Sequence, residues 1–298
     1  MALLKERTLS VVLTLSAWRA QRVDRKVTNE VLDAHHAERD AGRFNKHLVP
    51  KEAIAPVRRA QGSARAAFQR LSLPWLDDGI RIITNEMFMD FRQAMSKERS
   101  ECEAAYDQFA LIYPDLKQQA PKRLNGMYDP ADFPDEIRDR FGFELKYVPV
   151  TDEMDFRGGA VFEDEIKQEL ETNYRTTLQK TVGSADYDLV SRLLKLTEHF
   201  TNVTGVDDQR FEKTTVENLR ELARIAPKLS LTKNPVVEQT SQQILDLLDG
   251  VDATLLRNNK QARAQAHTAA KKVTRTLKAS EEAARKKLAE LDRRLGIA

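Results

Sequence analysis

The chain has 298 residues, with 48 Lys and Arg against 46 Asp and Glu, and a mean hydropathy of −0.55. Charged residues at 32%, aromatics at 7% and few Gly and Pro favour helices, and no apolar run nears the roughly 18 residues of a membrane span. A single cysteine, Cys102, excludes an internal disulfide and a cysteine-based zinc site, and suits a reducing cytoplasm.

The near-balanced total conceals a segregation. Residues 1–72 hold 14 Lys/Arg against 7 Asp/Glu, residues 257–298 hold 12 against 4, and a total of +2 leaves the centre, 73–256, at −13. Two basic ends around an acidic centre point either to nucleic-acid contact or to ends that dock on the centre.

The opening stretch, MALLKERTLSVVLTLSAW, lacks a small-residue cleavage site and is read as structure, not as a signal peptide. Within it, Arg7–Leu15 alternates, which predicts a half-buried strand with Leu9, Val11, Leu13 and Leu15 on one face. Val23–Ala41 reads as a helix ended by Gly42, and Pro50 opens an Ala/Arg-rich helix to Leu71, disturbed by Pro56. A turn at Asp77-Asp78-Gly79 then feeds a strand at Ile80–Thr84. From an Asn85 cap, Phe88, Phe91, Met95, Cys102, Tyr106 and Phe109 mark a strongly amphipathic helix that Tyr113-Pro114 should close.

Residues 114–160 hold five of the ten prolines and predict short helices followed by a strand at Glu144–Val148. Beyond the DFRGGAVF turn, Phe162, Ile166, Leu170, Tyr174 and Leu178 stripe a helix over Val161–Val182, with further helices at Tyr187–Phe200, Phe211–Ile225 and Asn234–Leu248. After a break at Gly250, Val251–Leu295 shows no breaker and would make one helix on the order of 65 Å long. Its seam of Ala284, Leu288, Leu291 and Leu295 calls for a partner helix, either Val161–Val182 or a second copy. The expected fold is therefore mainly α, with a few short strands in the N-terminal half and a long helical hairpin or coiled-coil-like C-terminal half. It divides into a mixed head, 1–160, and a helical part, 161–298.

Candidate chemistry is sparse. On a continuous helix His36 and Asp40 stand four residues apart, with His47 beyond Gly42, but a charged solvent face explains them as well, and no metal or cofactor is assigned. Arg157-Gly158-Gly159 precedes Glu163, Asp164 and Glu165, carboxylates that would repel a phosphate from that helix start. No phosphate-binding or nucleophile-elbow motif occurs, and Cys102 falls on a buried stripe, so the residues lean away from an enzyme. Trp18, between Arg19 and Arg22, and Trp75 both read as core.

Nucleic acid is the more substantial idea. Lys271, Lys272, Arg275 and Lys278 recur at helical spacing, followed by Arg285 and Lys286, a face suited to several phosphates. No aromatic lies in Val273–Ala298, so contact there would follow the backbone and not the bases. Arg43, Lys46 and His47 are expected on a basic surface connector.

Several of these motifs occur together: Trp18 after a strand, the Lys46-His47-Leu48-Val49-Pro50 block, and an Ala/Arg-rich helix with Gly62 and Phe68. The Trp75–Gly79 stretch and a helix ending in Phe109 and Tyr113-Pro114 follow. This arrangement resembles, over roughly residues 8–240, an uncharacterised family of tailed phages and integrative mobile elements, domain of unknown function 3150. The resemblance implies an accessory role, in the neighbourhood of AAA-type ATPases of the MoxR kind, and supplies no catalytic residues. The expectation is a cytoplasmic accessory protein with a protein partner or self-association and no membrane, the alternative being a DNA-binding factor that uses its basic N- and C-terminal regions.

Overall fold

A computed structural model describes residues 2–76, 79–150, 164–205 and 212–294. Along the chain these form α1 (Ala2–Arg7), β1 (Thr8–Ser16), β2 (Gln21–Val23), α2 (Arg25–Ala34), β3 (Asn45–His47) and α3 (Lys51–Arg70). Then come β4 (Leu73–Pro74), β5 (Ile80–Thr84), α4 (Phe88–Leu124) and β6 (Gly142–Pro149). The last helices are α5 (Asp164–Thr204), α6 (Lys213–Leu229), α7 (Pro235–Leu247), α8 (Ala253–Asn258) and α9 (Lys260–Arg294). The protein is thus mainly helical, with a small antiparallel sheet in its N-terminal half and long helices towards its C-terminus.

The chain makes two compact units, one of Met1–Val12, Arg70–Phe91 and Tyr147–Ala298, the other of Leu13–Gln69 and Arg92–Lys146. This interleaving differs from the single division expected at residue 160, because β1, α4 and β6 each contribute residues to both units.

In the first unit, β1 and β5 pair antiparallel from Thr8↔Thr84 to Val12↔Ile80, and β4 extends the pair at Leu73↔Ile82. Thr8 and Ser10 of β1 are as buried as Val11, so this half of the strand is covered on both faces and not one. The helical part is dominated by an antiparallel hairpin of α5 and α9. Lys180 Nζ meets Asp292 Oδ1 at 2.5 Å, Glu198 meets Lys278 at 2.8 Å, and Thr201 meets Thr274 at 3.2 Å, so one helix descends as the other rises. The buried seam of α9 is Ala266, Ala270, Val273, Leu277 and Leu291, small at its start and larger towards its end. The seam position expected at Leu295 and the Phe162 end of the α5 stripe lie outside the described residues, as do the Arg157-Gly158-Gly159 turn, Asp77-Asp78 and Phe211. Ile166, expected on the buried stripe of α5, is 43% exposed.

The second unit is organised on the middle of α4. Met95, Cys102, Tyr106, Phe109 and Tyr113 are all buried, at the helical spacings the sequence predicts. The helix does not close at Tyr113-Pro114. It runs through Pro114 and Pro121 to Leu124, because the apolar stripe continues through Ala120 and Leu124, and that burial offsets the two missing ladder bonds.

Three further boundaries differ from expectation. Helix α2 stops at Ala34, not at Gly42. His36 takes the left-handed conformation (φ +49°) and its N–H donates to Asp33 O, while Ala37 N–H donates to Leu32 O, a Schellman end that uses histidine where glycine is usual. Gly183 does not separate two helices; α5 passes straight through it. The long C-terminal helix breaks at Asn259, whose backbone leaves the helical region and whose side chain accepts from Ala262 N at 2.9 Å to cap α9.

Candidate nucleic-acid interface

Helix α9 exposes what the sequence proposes. Lys271, Lys272, Arg275, Lys278, Arg285 and Lys286 are all exposed, on the side of the helix away from Ala270, Val273 and Leu277. Two of the six are engaged: Lys278 reaches Glu198 of α5 at 2.8 Å, and Lys286 pairs within its own helix with Glu282 at 2.8 Å. That hydrogen bond, together with the lysine's charge, holds the Glu282 carboxyl below its ordinary value. Among the described residues Lys271, Lys272, Arg275 and Arg285 form no ion pair. From residue 271 to 286 the face is about 22 Å long at 1.5 Å per residue. Among the described residues, Lys278 is the one of these six that pairs with an acid of the centre.

The N-terminal connector is different. Arg43 is exposed, as expected. Lys46 is not a surface residue: at 8% exposure its ammonium donates to Asp132 (2.8 Å) and to Met127 O (2.7 Å), with Asp24 at 3.6 Å. Burial pulls its pKa down, but the bond to Asp132 and the charges of Asp132, Asp24 and Asp129 outweigh it and the value is raised. His47 is half-buried, its Nδ1 3.0 Å from Gln21 Nε2 across the β2–β3 pair. Lys46 is thus a buried, paired residue and not part of a basic surface.

The metal constellation dissolves with the helix that carried it, since His36 and Asp40 lie beyond the end of α2. Among the described residues no three His, Cys, Asp or Glu side chains gather as a metal would need. Cys102 is fully buried, burial raises its thiol pKa, and it neighbours Tyr106, whose hydroxyl burial pushes up to about 12.

Two features were not legible in the sequence. A cavity of about 650 Å³ in the first unit is walled by Leu4, Leu178 and Leu291, with Asp186 and Lys287 at its polar side. In the second unit, a cleft of about 530 Å³ lies at Trp18, with Arg19, Arg22 and Arg140 around it. Trp75 is buried as expected, at 3% exposure, whereas Trp18 is only half-buried.

No family model, no curated protein and no solved structure matches this chain.

Proposed function

We propose that the protein is an accessory factor that binds the phosphate backbone of nucleic acid through the solvent face of α9, in the phage or mobile-element setting its motifs suggest. The observation that carries this reading is the row Lys271, Lys272, Arg275 and Arg285, exposed and without an ion pair among the described residues, on a rigid helix. At 1.5 Å per residue these cations span about 21 Å of helix, long enough to face several phosphates of one backbone. With no aromatic on this face, binding is independent of base sequence.

Four phosphate contacts predict that log K falls with log[salt] at a slope of about −3.6 on duplex DNA. A salt titration by fluorescence anisotropy measures it. The double variant Lys271→Glu/Arg275→Glu is expected to flatten the slope by about two and to weaken binding at low salt at least tenfold. Absence of duplex binding at about 50 mM salt sinks the reading.

A second reading, a component held in a protein assembly or as copies of itself, draws on an open groove of about 810 Å³ between α7 and α9. Its floor includes Leu247, Ala264, Ala269 and Val273. Light scattering that gives a constant monomer mass over a hundredfold concentration range would remove self-association.

A further inference from the structure

We propose that the cleft at Trp18 is a stacking site for an unpaired nucleobase, and that the protein therefore holds single-stranded nucleic acid on its second unit as well as phosphates on α9. The inference takes its partner class from the α9 reading but stands on different residues. Trp18 is surrounded by aromatic rings, and none of them stacks flat on it. Tyr113 meets it edge-on at 5.6 Å and 87°, Phe109 is tilted at 6.2 Å, and Phe133 is tilted at 6.4 Å. The indole is therefore held by three rings, has no parallel neighbour among them, and contributes surface to the cleft. Its Nε1–H has no hydrogen-bond partner among the described residues.

The backbone that presents Trp18 is tied down at three carbonyls on either side of it. Gln61 Nε2 donates to Ser16 O (2.9 Å), Arg58 donates to Arg19 O (3.1 Å), and Leu48 N–H donates to Ala20 O (3.0 Å). Ala20 is buried in the left-handed region at φ +56°, a conformation that costs an alanine on the order of 1 kcal/mol and that is held here by its surroundings. The loop is rigid while its functional side chains are not consumed. Arg19 and Arg140 line the cleft and form no ion pair among the described residues. Of the two acids that also line it, Asp132 is engaged by Lys46 at 2.8 Å and by Arg22 at 3.3 Å, which leaves Asp139 alone against two arginines. A flat aromatic surface beside uncommitted guanidiniums is the chemistry that takes a base together with its phosphate. A paired base presents no free face, so the cleft selects single strands over duplex.

The experiment is intrinsic tryptophan fluorescence of the full chain titrated with a 15-nucleotide oligothymidylate, a blunt 15-base-pair duplex and thymidine monophosphate. The oligothymidylate is expected to quench the wild type and to leave Trp18→Phe, which keeps an aromatic ring in the cluster, unquenched. Arg19→Gln/Arg140→Gln should weaken oligothymidylate binding at least fivefold with an unchanged melting temperature. Quenching that persists in Trp18→Phe, or oligothymidylate binding without quenching, overturns the proposal. Quenching by the mononucleotide at equal concentration overturns it as well, by reassigning the cleft to free nucleotides. Duplex binding unchanged in Lys271→Glu/Arg275→Glu while quenching survives would count against the α9 reading alone. Duplex binding retained without any quenching counts against the Trp18 site alone.

Discussion

Lys46 and Asp132 form an enclosed ion pair of the second unit, Nζ to Oδ2 at 2.8 Å, with the side chains 8% and 12% exposed. The pair joins β3 to the irregular segment after α4, and Arg22 and Asp24 complete it. Removing one partner from such a pair leaves an uncompensated charge in a poorly solvated place, which costs more than the pair itself contributes.

Lys46→Met is therefore expected to destabilise by about 2–3 kcal/mol, below the 3–5 typical of a fully buried pair because Arg22 still faces Asp132. The double variant Lys46→Met/Asp132→Asn should recover part of the loss, giving a coupling of about 1 kcal/mol or more in a denaturant-based cycle. The pH dependence has a definite sign. A raised lysine pKa contributes stability that is fully present below the ordinary 10.5 and is lost as pH rises through the higher folded value. Wild type should show an alkaline loss that Lys46→Met lacks.

How far the sequence foretold this arrangement depends on the kind of signal. Strand β5 and the buried face of α4 were legible, because a turn followed by a short apolar run and a helical stripe are local properties of the chain. Breakers misled in both directions. Pro114 and Gly183 sit inside long helices because tertiary burial outweighs a propensity cost of about 1–3 kcal/mol, whereas Asn259 ends a helix that no residue type forbade. On α9, helical spacing was enough to find the exposed cations. That Lys278 alone of them reaches Glu198 was not readable, since it depends on the register of α5 against α9. The Trp18 cleft needs Arg140 from after α4 beside Arg19 from after β1, a juxtaposition of distant segments that carries no local pattern.

Two glycines of α5 and its end separate close packing from clash. A Cβ at Gly205 would lie 2.9 Å from His267 Cε1 and 3.3 Å from Thr201 O, and that imidazole is pinned by its Nδ1–H donating to Thr201 O at 3.0 Å. A Cβ at Gly183 would meet only the tip of Leu288, at 3.1 Å, on a half-buried side chain that can turn aside. Gly205→Ala should therefore destabilise by about 1–3 kcal/mol. Gly183→Ala should stabilise by up to about 1 kcal/mol, the mid-helix advantage of alanine. Urea midpoints at constant m-value read both, and equal shifts of one sign would refute the distinction. His267→Ala in the Gly205→Ala background should relieve the clash.

The carboxylate in the cavity of the first unit gives an acid-range test. Thr232 Oγ1 donates to Asp186 Oδ2 at 2.6 Å, while Asp186 Oδ1 is buried with no hydrogen-bond partner among the described residues. Burial raises this carboxyl above its ordinary 3.8, and the Thr232 bond and the charge of Lys287 offset that only in part. The native state thus holds the proton more tightly than the unfolded chain does. Its contribution is fully present below about pH 4 and is lost as pH rises through the folded value. Asp186→Asn should remove this dependence, so that its melting temperature gains on wild type between pH 4 and pH 7. Lys287→Met withdraws the offsetting charge and should widen the wild-type loss over the same range. The other charged groups of the cavity, Arg7, Glu290 and Arg294, are unchanged in both variants, so the difference between them isolates the Asp186–Lys287 interaction. If both variants melt in parallel with wild type across that range, the orphaned oxygen is solvated and the burial argument fails.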